Sequence, residues 1–193
     1  MGSTIDKAPL RLDTVYCLGP SWATRYYWAQ VPDGPDDLIG IERGEVTPSS
    51  PVALTIDSGG RPGDFIWNSH SLVVASPRAL TLLRQEHLSG FDTYAVRVRL
   101  GNRVLPGYRG VSIVGRAGAL DQARSHVVRF PRKGGGISKI EGLYFDPATW
   151  DGSDFFCLQD FFVPLITERV REALGKGKIA NFRATPLHEF RFG

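Results

Sequence analysis

Cysteine is scarce in this 193-residue chain, with Cys17 and Cys157 the whole complement. Two thiols are too few for the disulfide framework of a small secreted domain. No CxxC or HxxxH spacing supplies the ligands of a structural zinc site. Both cysteines sit among apolar or aromatic neighbours and read as reduced, buried thiols that pack as small hydrophobes. Long apolar runs are missing as well. The longest, residues 161–166, is far short of a membrane span, and the opening MGSTIDKAPLRLD has no apolar stretch of a secretory signal. The expectation is a cytoplasmic protein with no membrane partner. Net charge is slight, +3, so no overall field announces a nucleic-acid binder. The GxSxG elbow, the HExxH helix and the Walker A loop are all lacking.

What is present is globular. Apolar residues make up 42% and aromatics 11%, enough to bury a core and to exclude disorder for most of the chain. The 22 glycines and 13 prolines point to many turns and short elements rather than a helical bundle. The small net charge conceals a division. Residues 1–60 carry eight acids against four bases, and residues 61–193 carry twelve acids against nineteen bases. Of the 23 bases, 18 are arginine, whose planar fork suits carboxylates and phosphates.

Alternation and β-branched or aromatic content predict strands over 14–18, 24–31, 52–56, 91–100, 108–114, 126–130 and 140–145. In 91–100, Tyr94, Val96, Val98 and Leu100 point one way and Arg97 and Arg99 the other. The runs DGPDD (33–37) and TPSSP (47–51) read as turn and loop, and 132–138 as a flexible basic loop. Two segments read as helices. Residues 77–86 follow Ser76, an N-cap with proline at the first helical position, and 168–176 follow Thr167 and end on Lys176, where the helix dipole favours a cation. The predicted class is α+β: mostly antiparallel sheet with two short capped helices, in one domain spanning 1–193.

Those helices belong to two similar passages, 64–97 and 154–187. Asp64-Phe65 matches Asp154-Phe155 at an offset of 90. One inserted residue later, Ser76 meets Thr167, Arg78 meets Arg169, Leu83 meets Leu174 and Phe91 meets Phe182, all at 91. Each passage reads as strand, capped helix, loop and returning strand, with neither long enough to bury its own core.

Candidate chemistry is thin. His70, His87, His126 and His188 lie near no nucleophile motif. A Cys157–His188 dyad would be the enzymatic reading, although an aromatic setting raises a thiol's pKa and makes it inert. Asp146, Asp151, Asp154 and Asp160 lack EF-hand spacing. The run Arg132-Lys133-Gly134-Gly135-Gly136 has the donors for a phosphate but not the Walker pattern. Arg97, Arg99, Arg103, Arg109, Arg116, Arg124, Arg129 and Arg132, interleaved with Tyr94 and Tyr108, would suit an anion or nucleic-acid module, though no RNP-like signature accompanies them. Solvated strand faces explain them better, so nucleic acid is not the expected partner.

From Gly142 onward the chain reads GLYFDPATWDGSDFF and then FVPLITERVREALGKGKIANFRATPL. Trp150, Asp151, Asp154, Phe155 and Phe156, then Thr167-Glu168-Arg169, then Asn181-Phe182 form a pattern. It resembles the bacterial immunity proteins of polymorphic toxin systems, the group numbered eleven and its myxobacterial relatives. The likeness covers about a quarter of the chain, and the passage from Asp64 resembles a weaker upstream segment of the same families. Its residues have structural reasons: a helix cap, an acid at a helix start, apolar core positions. The resemblance implies a non-enzymatic α+β protein that binds a cognate toxin and blocks it by occlusion, with no cofactor. One myxobacterial branch carries paired CxxCG motifs suited to zinc; none occurs here, so no metal is implied. The partner-facing candidates are Tyr27 and Trp28 of the Tyr26–Trp28 cluster, Trp67, and the Arg97/Arg99 face.

Overall fold

Residues 91–100 show how alternation sets the fold. Along this strand Tyr94 and Val98 are buried while Arg97 and Arg99 face water, as period-2 geometry requires. In the computed structural model, which describes residues 9–23, 25–32, 37–68, 72–130 and 137–193, the strands before the first long helix are β1 (Val15–Gly19), β2 (Trp28–Gln30), β3 (Val52–Ser58), β4 (Phe65–Asn68) and β5 (Val73–Ala75). Next come β6 (Phe91–Leu100), β7 (Arg103–Leu105), β8 (Arg109–Ile113), β9 (Gly115–Ala117), β10 (Val128–Arg129) and β11 (Ile137–Glu141). The last are β12 (Phe155–Leu158), β13 (Leu165–Thr167), β14 (Arg183–Pro186) and β15 (Arg191–Phe192). Three helices join them: α1 (Leu38–Glu42), α2 (Pro77–Gln85) and α3 (Glu168–Lys176). The protein is mixed α+β, mostly strand.

Six strands close into a barrel-like ring. The order β2-β4-β5-β8-β6 is completed by β3, antiparallel to β2 and parallel to β6. A second sheet runs β9-β12-β13-β1-β14, and a small third one β10-β11-β15. Neighbour by neighbour, the first five ring strands and the second sheet agree: one parallel pairing followed by three antiparallel ones. The first strand of each set is exchanged. β1 precedes the passage at 64–97 but lies between β13 and β14; β8 precedes the passage at 154–187 but lies between β5 and β6. Neither set can complete its sheet without the other.

The core follows the same alternation. Phe65 and Trp67 of β4, with Phe155 and Cys157 of β12, join a cluster that includes Leu83 of α2 and Leu174 of α3. Ile66 faces into the ring with Leu54, Val74, Tyr94 and Ile41. Phe156 and Leu158 face the opposite side of the second sheet, onto Ile140, Leu143 and Phe145. Each such fully buried side chain is worth about 1.5–3 kcal/mol relative to exposure.

Several elements differ from the sequence reading. The strand expected over 24–31 shrinks to β2: Tyr26 joins Arg61 through an isolated bridge, and its N–H returns to Ala23 O in a turn. The strand expected over 140–145 lies earlier, as β11, and ends where Gly142 turns at φ +74. That expected over 126–130 is only β10. Each passage opens with a two-stranded hairpin, β4-β5 and β12-β13, rather than one strand. A third helix, α1, hides behind turn chemistry and is capped by Asp37, whose Oδ1 accepts from Gly40 N at 2.7 Å. Ser76 caps α2 as expected, accepting from Ala79 N at 3.1 Å. Thr167 occupies the cap position of α3 but makes no side-chain cap bond; its hydroxyl donates to Asp154. The run at 132–136, His70, Thr24 and most of the 33–37 turn lie outside the described residues.

Candidate functional site

The two passages meet in a pair of matched polar stations. Asp64 is buried, and its carboxylate accepts from Ser76 Oγ (2.9 Å), Arg78 Nη1 (2.5 Å) and Ala180 N (2.8 Å). Asp154 accepts from Thr167 Oγ1 (3.3 Å), Arg169 Nη1 (3.0 Å), and the backbone N and Oγ of Ser89 (2.9 and 3.1 Å). Each arginine then crosses to the other passage. Arg78 Nη2 donates to the carbonyls of Gly177 and Lys178 beyond α3, and Arg169 Nη2 to those of Glu86 and His87 beyond α2. Carbonyls at a helix end have no intrahelical partner and carry the negative end of the dipole, so a guanidinium satisfies both needs.

The backbone matches at the same offset. His87 and Lys178 adopt φ +50 and +49, and Gly90 and Asn181 adopt φ +86 and +64. A Cβ at Gly90 would stand 2.0 Å from Phe155 O. At the matching position Asn181 instead donates Nδ2 to Phe65 O at 2.9 Å, and its Oδ1 accepts from Ser21 Oγ. Around these stations, Phe155 stacks edge-on to Phe91, Phe182 packs on the same cluster, and Trp150 donates Nε1 to Ser153 O while leaning on Phe156. Glu168 pairs with Arg171. The motif residues thus hold helices, hairpins and loops together. Their carboxylates and guanidinium groups are engaged internally.

A different region is open. A groove of about 790 Å³ lies across the ends of β1, β2 and β4. Trp22, Trp28, Trp67, Phe161, Phe162, Phe190 and Phe192 form its aromatic surface. Trp22 is 70% exposed, sits in the left-handed region, and stacks on Trp28 with ring centres 5.9 Å apart and planes 23° apart. A left-handed conformation costs a non-glycine residue about 1–2 kcal/mol. Trp67 is buried and anchored through Nε1 to Asn181 O at 2.7 Å. Phe161 meets Phe190 and Phe192 edge-on. Arg183, Arg191 and Glu189 supply the charge of the lining. At Gly19 an added Cβ would meet no atom of the described residues within 4 Å.

Of the partner-facing candidates, Trp28 and Trp67 come together here. Tyr27 is buried, and Arg97 and Arg99 lie exposed on the outer wall of the ring, outside the groove. Trp22, Phe161, Phe162 and Phe190 escaped the sequence reading. The signal available was a tryptophan in a Pro20-Ser21 turn, where no core position is expected.

The remaining chemistry disperses. Cys157 is buried with Arg116 Nη1 3.4 Å from its sulfur, and burial pushes its pKa up. His188 is exposed beside Glu189 at 3.7 Å, and no hydrogen bond joins it to Cys157. Asp146, Asp151 and Asp160 each accept from backbone N–H groups. Tyr94 is inside the ring, and Tyr108 packs half-buried on the same cluster and donates to Gly63 O. Arg116 and Arg124 turn to internal carbonyls and to the Tyr144 ring. Among the described residues no cluster of three or more His, Cys, Asp or Glu is placed to hold a metal, and no helix is long and apolar enough to cross a membrane. Inside the ring, Glu42 Oε1 and Tyr94 OH are buried without a hydrogen-bond partner, and desolvation pushes Glu42 up to about 8. No protein-family model and no curated protein matches the chain.

Proposed function

We propose that this chain is a cytoplasmic immunity-type protein that binds a cognate toxin and blocks it by occlusion, without catalysis. The observation that carries the reading is Trp22: exposed, conformationally costly and stacked on Trp28 at the mouth of an aromatic groove. Tryptophan and arginine are the residues most enriched among binding hot spots, and this groove presents both. The toxin-immunity likeness of 142–187 supplies the partner class, and its residues act as the frame of the groove through the Asn181 contacts to Trp67, Phe65 and Ser21. The matched stations and exchanged strands further support a chain of two copies of one unit, folded as one domain. A stable complex needs roughly 1,200–2,000 Å² of buried surface, so the groove is its centre rather than its whole extent.

Co-expression with the toxin domain encoded beside it tests the reading. Growth is restored and the two proteins co-elute on gel filtration, while Trp22→Ala folds normally and loses both effects. Unrelieved toxicity and separate elution would defeat the proposal. A second reading rests on Arg97, Arg99 and Arg103, all exposed and without an ion pair among the described residues: an anion-binding face. It requires retention on heparin that collapses steeply with salt.

A further inference from the structure

The matched strand sets allow one half of the molecule to be compared with the other. Register aligns β8 with β1, so that Ser112 corresponds to Gly19. Arg116, opposite Cys157 in β9, corresponds to Trp28, opposite Trp67 in β2. Leu158 corresponds to Asn68 at the offset of 90. In one half this surface is filled by α1 and the turn after it. Ser112 Oγ donates to Ile41 O at 2.6 Å, Gly44 lies against Val114, and Arg43 donates to the carbonyls of Leu158 and Gln159. Glu45 then accepts from Arg43 and lies 3.4 Å from Arg116. In the other half, Gly19, Trp28 and Asn68 line the open groove.

We infer that the groove is a second, vacant seat of the kind α1 occupies, and that it receives a short apolar turn of a protein partner edged with acidic side chains. This rests on the partner-binding reading above. Two observations set the occupant's chemistry. At the filled seat the turn after α1 brings one acid, Glu45, to the cation at the seat's edge, Arg116. At the vacant seat, Arg183 stands directly across from Gly19 in the sheet, exposed and without an ion pair among the described residues. Arg191 adds a second cation, and Glu189 is the one acid among the described residues of the lining. An apolar side chain of the partner would rest on Trp22 and Trp28, and its carboxylates would reach Arg183, where the bidentate geometry of guanidinium favours them.

The test uses the whole chain and two substitutions. Gly19→Leu fills space that no described residue occupies, and Arg183→Glu reverses an exposed charge; thermal melts matching wild type establish that both fold. Each should weaken binding of the toxin domain by about tenfold or more, as for loss of a central anchor or a facing charge, with Arg183→Lys intermediate because it keeps the charge and loses the fork. Unchanged binding by Gly19→Leu would refute the seat while leaving the immunity reading intact. Loss in Gly19→Leu alone, with Arg183→Glu binding as well as wild type, would refute the acidic occupant. If wild type itself fails to bind the toxin, the reading falls, and titration with 1-anilinonaphthalene-8-sulfonate, an apolar anion, then decides the groove. Saturable binding abolished by Gly19→Leu and weakened by Arg183→Glu sustains the seat; equal binding to all three proteins overturns it.

Discussion

Glu42 makes stability fall as pH rises. Its side chain ends inside the six-stranded ring, the residue is 4% exposed, and Oε1 has no hydrogen-bond partner. Desolvation raises its folded-state pKa from the ordinary 4.5 to about 8. Between those values the folded protein keeps a proton that the unfolded chain releases, so the unfolded state gains with every step upward in pH. The loss begins near pH 4.5, continues to about pH 8 and then levels off. The interval corresponds to about 5 kcal/mol at most, from about 1.4 kcal/mol per pH decade of difference. Glu42→Gln removes the titrating group at nearly constant volume. Urea melts of both proteins from pH 5 to pH 9 isolate the effect, because the histidines and remaining carboxylates contribute equally and cancel in the difference. The variant should gain several kcal/mol on wild type across that range, the gain growing with pH. A difference curve that stays flat between pH 5 and pH 8 would refute the reasoning. Tyr94, whose hydroxyl is also buried without a partner and is pushed up by burial and by Glu42, should be least acidic when Glu42 is ionised.

Asp64→Ala and Asp154→Ala should each cost about 3 kcal/mol, since each strands several buried donors, and lower the midpoint by about 6–12 °C. A double-mutant cycle of Asp64→Ala with Arg78→Ala should show coupling above about 0.5 kcal/mol; strict additivity would mean that the station does not act as a unit. Cys157 should resist iodoacetamide in the native protein and react only on unfolding, because burial disfavours its thiolate. Rapid native alkylation would revive the enzymatic reading.

The local pattern already carried much of the fold. Alternation over 91–100 gave β6 with its exposed and buried faces, and Ser76-Pro77 marked the start of α2. The repeated spacing of Asp64, Ser76 and Arg78 with Asp154, Thr167 and Arg169 pointed to two similar passages. It gave no sign that each arginine reaches past its own aspartate to the helix end of the other passage. The groove was half legible: Trp28 and Trp67 stood out as aromatics, whereas Trp22 and Phe161, far apart in sequence, gave no sign of sharing a surface.

By itself, then, the sequence determined which face of each strand is apolar, where two helices begin, and that two segments share a plan, because these depend on residues within a few positions of one another. Tertiary structure decided which strands are neighbours, that β1 and β8 change places, that β3 closes one set into a ring, and that a surface filled by α1 in one half stays open in the other. Period-2 alternation fixes the side of a sheet a residue faces but not the strand beside it. That choice is made by loop closure and by packing between elements dozens of residues apart.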